Sequence, residues 1–206
     1  MTDQSHSIKS ICVYCGSRPG RDAAYMTAGR TLGKEIAEYG LRLIYGGGTK
    51  GIMGAVAEGA LRAGGKVTGI IPRFLINKEA TETALDRLDE LVITDNMHER
   101  KHRMFEKSDA FVALPGGIGT VEEIVEVMTW GQLGHHRKPI VFANVLNFWD
   151  PMLALIEHMR AEGFVHTSHL VNPLVVDKPD AIVPAILVAA SAIETPEGVA
   201  SVIKQL

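Results

Sequence analysis

One unit, used three times, narrows most sharply what this chain can fold into: an apolar run of strand length, a glycine turn, and a helical pattern. Ser10 to Tyr14 leads through Gly16-Ser17 into an alanine-rich helix from about Asp22 to Tyr39. Leu41 to Tyr45 leads through Gly46-Gly47-Gly48 into a helix from about Ile52 to Ala63. Ala110 to Leu114 leads through Pro115-Gly116-Gly117-Ile118-Gly119-Thr120 into a helix that reaches about Leu133. Further strands are predicted at Lys66 to Ile71, Leu91 to Thr94 and Pro139 to Ala143, with an extended segment from Leu170 to Val176. Helices are predicted near Met97 to Lys107, Trp149 to Glu162 and from Pro179, and Arg73 to Glu90 reads as a polar connection.

Strands that are apolar along their whole length bury both faces, and strands that alternate with helices form a parallel sheet covered on both sides. The expected fold class is therefore α/β, a doubly wound, mostly parallel Rossmann-like sheet with helices on both faces. Ligands in such sheets sit at the carboxyl ends of the strands, where all three glycine turns converge. At 206 residues the chain is expected to form a single domain over 1–206, with a flexible N-terminus. A net charge of −3 gives no general basic field, which argues against a nucleic acid polymer as partner. No apolar run approaches the roughly 18 residues of a membrane span, and Met1 to Ser10 lacks a signal-peptide core. A soluble, cytoplasmic protein is expected. The two cysteines, Cys12 and Cys15, spell C-x-x-C but fall on a strand, where they point to opposite faces and read as buried thiols.

The stretch from Leu114 to Glu123 carries the most chemistry. Glycines allow backbone N–H groups close to an anion, and the positive end of the following helix favours negative charge. Gly46-Gly47-Gly48-Thr49-Lys50-Gly51 lacks the Gly-Lys-Ser/Thr ending of a P-loop, and no dinucleotide fingerprint follows the first strand, so a mononucleotide or sugar phosphate fits better than NAD or ATP. Thr120 and Glu123 spell a Thr-x-x-Glu capping box, which gives Glu123 a purely structural alternative. The predicted apolar stripe of this helix is Val121, Ile124, Val125 and Met128; Glu123 shares a face with Trp130, and Glu122 with Thr129. That second face is expected to line a site or meet a partner subunit, with the Trp130 side as the candidate dimer contact.

His98-Glu99-Arg100-Lys101-His102 has the H-E-x-x-H spelling of zinc proteases. With Met97, Met104 and Phe105 turned inward, however, Lys101 falls at the centre of the inward face and Arg100 at its flank, while His102 turns away and Glu99 lies nearly opposite. A basic residue on an apolar face needs an anionic partner or a route to solvent. The expectation is that Arg100 holds a phosphate or a developing charge, and that no metal is bound.

Met97-His98-Glu99-Arg100-Lys101, Ser108-Asp109-Ala110-Phe111, Pro115 to Glu123 and the upstream Tyr45-Gly46-Gly47-Gly48 together resemble the Lonely Guy family of cytokinin riboside 5′-monophosphate phosphoribohydrolases, whose signature is P-G-G-x-G-T-x-x-E with an upstream R-K. The resemblance runs from about Ile11 to Pro173 and includes Thr129 to Gly134. It implies a homodimer that hydrolyses the N-glycosidic bond between an adenine-type base and ribose 5-phosphate. It also implies Arg100 and Glu123 as the catalytic pair. Lys101, Gly116, Gly117, Ile118, Gly119, Thr120, Val121, Glu122, Thr129 and Glu79 would contact the nucleotide, together with the turns Gly16-Ser17 and Gly46-Gly47-Gly48. No cofactor is implied; the family's older label of lysine decarboxylase finds no Schiff-base lysine here. A non-catalytic nucleotide sensor and a salvage enzyme for other nucleoside monophosphates remain alternatives, and the preferred N6 substituent depends on pocket shape.

Overall fold

In the computed structural model, which describes residues 8–80, 82–165 and 172–194, the strand and helix units fall close to their expected places. In chain order they are β1 (Ser10–Tyr14), α1 (Ala23–Glu38), β2 (Arg42–Tyr45), α2 (Gly51–Arg62), β3 (Lys66–Pro72), α3 (Glu82–Leu85), β4 (Glu90–Thr94) and α4 (Met97–Glu106). There follow β5 (Ala110–Ala113), α5 (Ile118–Gln132), β6 (Ile140–Ala143), α6 (Asp150–Ala161), β7 (Leu174–Val176) and α7 (Ile182–Glu194). The polar connection after β3 contains a 3-10 turn, Arg73–Leu75, and the short α3. The N-terminal segment and the beginning of the expected extended run at Leu170 lie outside the described residues.

All seven strands are parallel, in the order β4-β3-β2-β1-β5-β6-β7. The chain winds outward from β1 to β4 and then returns to place β5 on the other side of β1. Order therefore reverses between β1 and β5, the place where a doubly wound sheet opens a crevice. The register Tyr14 opposite Ala113 carries two glycine turns out side by side, and the Gly16 N–H donates to the Pro115 carbonyl at 3.0 Å.

Alternation along β1 divides the core in two. Ile11, Val13 and Cys15 pack with α1, α2 and α7, whereas Cys12 and Tyr14 pack with Met104 of α4 and Ile124 and Val127 of α5. The two cysteines are free, buried and on opposite faces. Among the described residues, no helix is long and apolar enough to cross a membrane.

Two helix faces differ from the sequence reading. In α5 the N-cap is Gly117, so Thr120 sits inside the first turn, and the expected Thr120–Glu123 capping box is absent. Gly117 leads the chain straight out of the glycine turn into helix, leaving Thr120 no free N-cap position. Glu123 lies on the buried face with Thr120, Ile124 and Val127, while Val125, expected inside, is exposed. In α4 the order of the basic pair is reversed: Arg100 is the buried centre of the face, with Met104, and Lys101 its flank. Arg100 can be central because a carboxylate waits opposite it. An asparagine N-cap instead starts α4, where Asn96 Oδ1 accepts the Glu99 N–H at 2.9 Å and the Glu99 carboxylate reaches back past the cap to accept the Asp95 N–H at 3.0 Å. The glutamate of the H-E-x-x-H spelling thus braces the start of the helix, and His98 and His102 are exposed.

Candidate active site

The carboxyl ends of β1, β2 and β5, roofed by the starts of α2, α4 and α5, enclose a cavity of about 230 Å³. One wall is the start of α5: Gly117, Gly119, Thr120, Glu122 and Glu123. The N–H groups of Ile118, Gly119 and Thr120 precede the first turn-closing bond, from the Val121 N–H to the Gly117 carbonyl, and are free for an anion. Gly117, Ile118 and Gly119 are exposed, so these donors stand at the mouth. Met53, Leu75 and Met97 give the cavity apolar lining, and Glu79, Val13, Tyr14, Cys15 and Met104 also line it.

Arg100 and Glu123 meet in this cavity. Arg100 Nη1 lies 3.2 Å from Glu123 Oε1, with side chains only 7% and 10% exposed. The guanidinium is further held by its Nε donating to the Ile70 carbonyl at 3.2 Å. A Cβ on Gly46 would overlap that guanidinium, so glycine at this turn is the condition for Arg100 reaching the cavity. Likewise, a Cβ on Gly116 would overlap Thr120, so glycine lets the β5 turn close onto its own helix.

Burial pushes the Glu123 carboxyl up to about 7 against an ordinary 4.5; Arg100 offsets part of this, while Glu122 and Glu79 add to the rise. A buried acid whose charge is poised near neutrality in a crevice has the environment of a proton-transfer group. Tyr14 and Cys15, in the same lining, are both pushed upward by burial and stay neutral. Lys101 lies just outside this pair, held by Glu122 and, at 3.2 Å, by Glu126.

Comparison with known proteins adds a second line. Residues 53–186 match a family described as "Possible lysine decarboxylase". A probable cytokinin riboside 5′-monophosphate phosphoribohydrolase of Oryza sativa subsp. japonica is 46% identical over 173 residues, 84% of this chain and 74% of its own length. The chain belongs to the Lonely Guy family. A second member, the cytokinin riboside 5′-monophosphate phosphoribohydrolase of Rhodococcoides fascians, is 46% identical over 157 residues, covering 76% of this chain and 78% of its own. Among solved structures, TM1055 superposes with a TM-score of 0.68 at 23% identity over 87% of this chain and 98% of its own. The Moco carrier protein of Chlamydomonas reinhardtii does so at 0.65 and 20%, over 90% and 99%. At these identities the structural matches show a shared fold and nothing about ligands.

Of the residues singled out in the sequence, the fold brings Arg100, Glu123, Glu122, Glu79, Thr120, Gly117, Gly119, Gly46 and Ser17 onto one cavity. Gly16, Gly47, Gly48 and Gly116 support the turns behind it, and Ile118 stands exposed at the mouth. Val121 packs against the core beside Tyr14. Thr129 is not brought to the cavity: it is exposed three turns along α5, its hydroxyl donating to the Val125 carbonyl at 2.8 Å. Trp130 packs edge-on against Phe105 of its own chain, centroids 4.7 Å apart.

Sequence reasoning missed the apolar lining of Met53, Leu75 and Met97, and also Tyr14 and Glu126. A signal existed for three of them: Tyr14 precedes the first glycine turn, Met53 opens the helix after the second, and Met97 lies one turn before Arg100.

Proposed function

We propose that this protein hydrolyses the N-glycosidic bond of adenosine-type 5′-monophosphates, including N6-substituted cytokinin forms, to free base and ribose 5-phosphate. The observation that carries this reading is the buried Arg100–Glu123 pair in a cavity that a free helix N-terminus and the apolar Met53, Leu75 and Met97 both line. That arrangement matches a ligand with an anion at one end, a sugar in the middle and an apolar base at the other. The phosphate lies at the mouth against the N–H groups of Ile118, Gly119 and Thr120, and the base against Met53, Leu75 and Met97.

Cleavage breaks the bond from C1′ to the base nitrogen, and the bonding electrons leave with the base. The sugar becomes oxocarbenium-like; a carboxylate close to C1′ stabilises that charge and takes a proton from the attacking water as the water oxygen bonds to C1′, and a proton from solvent completes the free base. Glu123 fills this role. Arg100 fixes the carboxylate and steadies the nucleotide through its remaining donors. Neither a metal nor an organic cofactor enters the scheme.

The reading includes a cytoplasmic homodimer. Ile118, Val125 and Leu133 are 86%, 38% and 67% exposed along the outer side of α5, an apolar stripe beside the mouth that suits a second copy.

The test is chromatographic detection of free base and ribose 5-phosphate from adenosine 5′-monophosphate, its N6-prenylated derivative and other nucleoside monophosphates. Release from the adenine compounds is the expected result. Thermal stabilisation by the nucleotide with no base release would make the site a nucleotide sensor and overturn the catalytic reading.

A further inference from the structure

Around the cavity four carboxylates, Glu79, Glu122, Glu123 and Glu126, stand against two cations, Arg100 and Lys101. Arg100 is committed to Glu123 and the Ile70 carbonyl. Lys101, tied to the cavity through the lining residue Glu122, is the cation beside this pair that can change partners, and it is already held by two acids. These acids are not equivalent. Glu122 lines the cavity and its side chain is 53% exposed, so it can turn to solvent with little loss. Glu126 lies one helical turn further along α5, away from the cavity, with its side chain 25% exposed. Lys101 itself is only 13% exposed and is kept charged by hydrogen bonds to both.

We propose that Glu122 and Glu126 act on Lys101 in opposite senses: Glu122 is an internal competitor that occupies the ammonium until a phosphate displaces it, and Glu126 is a positioning residue that keeps the ammonium aimed at the mouth. This rests on the reading above that the mouth takes a phosphate. An ammonium has three donors on a flexible stem, so it can exchange one acceptor while retaining another. On binding, a phosphate oxygen takes the donor that Glu122 held, Glu122 swings outward, and the Glu126 contact persists. The exchange replaces one anion with another and leaves no buried charge unpaired, which lets an acidic site accept an acidic ligand.

The two carboxylates separate this account from a simple field effect. If only net charge mattered, neutralising either acid would tighten anion binding. Here Glu122→Gln lowers the inhibition constant for inorganic phosphate, measured against base release, by about two- to fivefold. Glu126→Gln raises it by about the same factor, because the freed ammonium loses its aim. Glu126→Asp, retaining the charge, recovers part of the loss. In a Lys101→Met background both effects vanish, as required for residues that act through a shared partner. Thermal melts confirm that each variant is folded, and should Lys101→Met fail to fold, the opposite signs of the two glutamine variants decide by themselves. Shifts in the same direction, or shifts that persist without Lys101, overturn the proposal while leaving the proposed reaction intact. A wild-type enzyme that releases base but is indifferent to phosphate overturns the phosphate assignment at the mouth, and this proposal with it.

Discussion

The two ends of the sheet hold carboxylates in opposite conditions. At the amino ends of the strands, Asp109 accepts the Lys9 N–H, the Ser10 N–H and the Ser10 hydroxyl, each at 2.9 Å. Glu90, beside it in kind, takes Lys107 at 2.8 Å and the Thr68 hydroxyl at 3.0 Å, and the Lys107 hydrogen bond helps hold its carboxyl below the usual range. At the carboxyl ends, Glu123 has a single ion pair at 3.2 Å and is pushed up to about 7 by burial. The amino-end acids are satisfied and fasten strands together. Glu123 is instead desolvated, and burial raises its carboxyl despite Arg100. The same side chain is structural or chemical according to how fully its ionised form is solvated by the protein.

The signs of the pH effects differ accordingly. Glu90, with its lowered pKa, adds stability that is present above the ordinary carboxylate value and lost as pH falls through its folded value. Glu123, with its raised pKa, holds its proton more tightly in the folded state, so its contribution favours folding in acid and is lost as pH rises from 4.5 towards 7.

Removing the reactive acid is the strongest way to break the contrast: Glu123→Gln should lower kcat/KM for base release by about 10²- to 10⁴-fold while the chain stays folded. Near-wild-type turnover would return Glu123 to a structural role. Arg100→Ala strips the buried pair and should cost about 3–5 kcal/mol at pH 8. Urea titration at pH 6 should show a smaller loss, because the isolated carboxyl then takes a proton; equal losses at both pH values would mean that Glu123 is not poised. Gly46→Ala pushes on the guanidinium rather than removing it, and misplacement alone should reduce kcat/KM by about 10²-fold. In the wild type, kcat/KM should fall about tenfold per pH unit below 7 and level off above it, since the water-activating form is ionised. A profile that falls above 7 instead would make Glu123 a general acid. At the other end of the sheet, Lys107→Ala should cost only about 0.5–1 kcal/mol and leave turnover unchanged.

Much of the fold was legible because it depends on local pattern. Apolar strand runs, glycine turns and helical stretches placed every strand of the sheet, and the turns after β1, β2 and β5 pointed to the crevice. Single helix faces were read less well. The Thr120-x-x-Glu123 spelling looked like a cap because nothing in the sequence says that Gly117 begins the helix three residues earlier. Arg100 was set at the flank because counting Phe105 as inward with Met97 and Met104 turned the centre of the face towards Lys101, whereas the buried residues of α4 are Arg100 and Met104; the partner of Arg100, Glu123, comes from a helix that meets it only in the folded chain. The apolar lining was missed because Met53, Leu75 and Met97 come from three separated segments, each indistinguishable from core.

The sequence by itself determined a parallel α/β sheet, the glycine turns at its carboxyl edge, the family, and the residue types available for chemistry, since each of these follows from short-range pattern or from motif spelling. Tertiary structure alone decided which of the three glutamates of α5 is buried and poised and which two hold Lys101. Those fates depend on desolvation and on partners 21 to 25 residues away along the chain, and neither is encoded in the local run of residues around Glu122, Glu123 and Glu126.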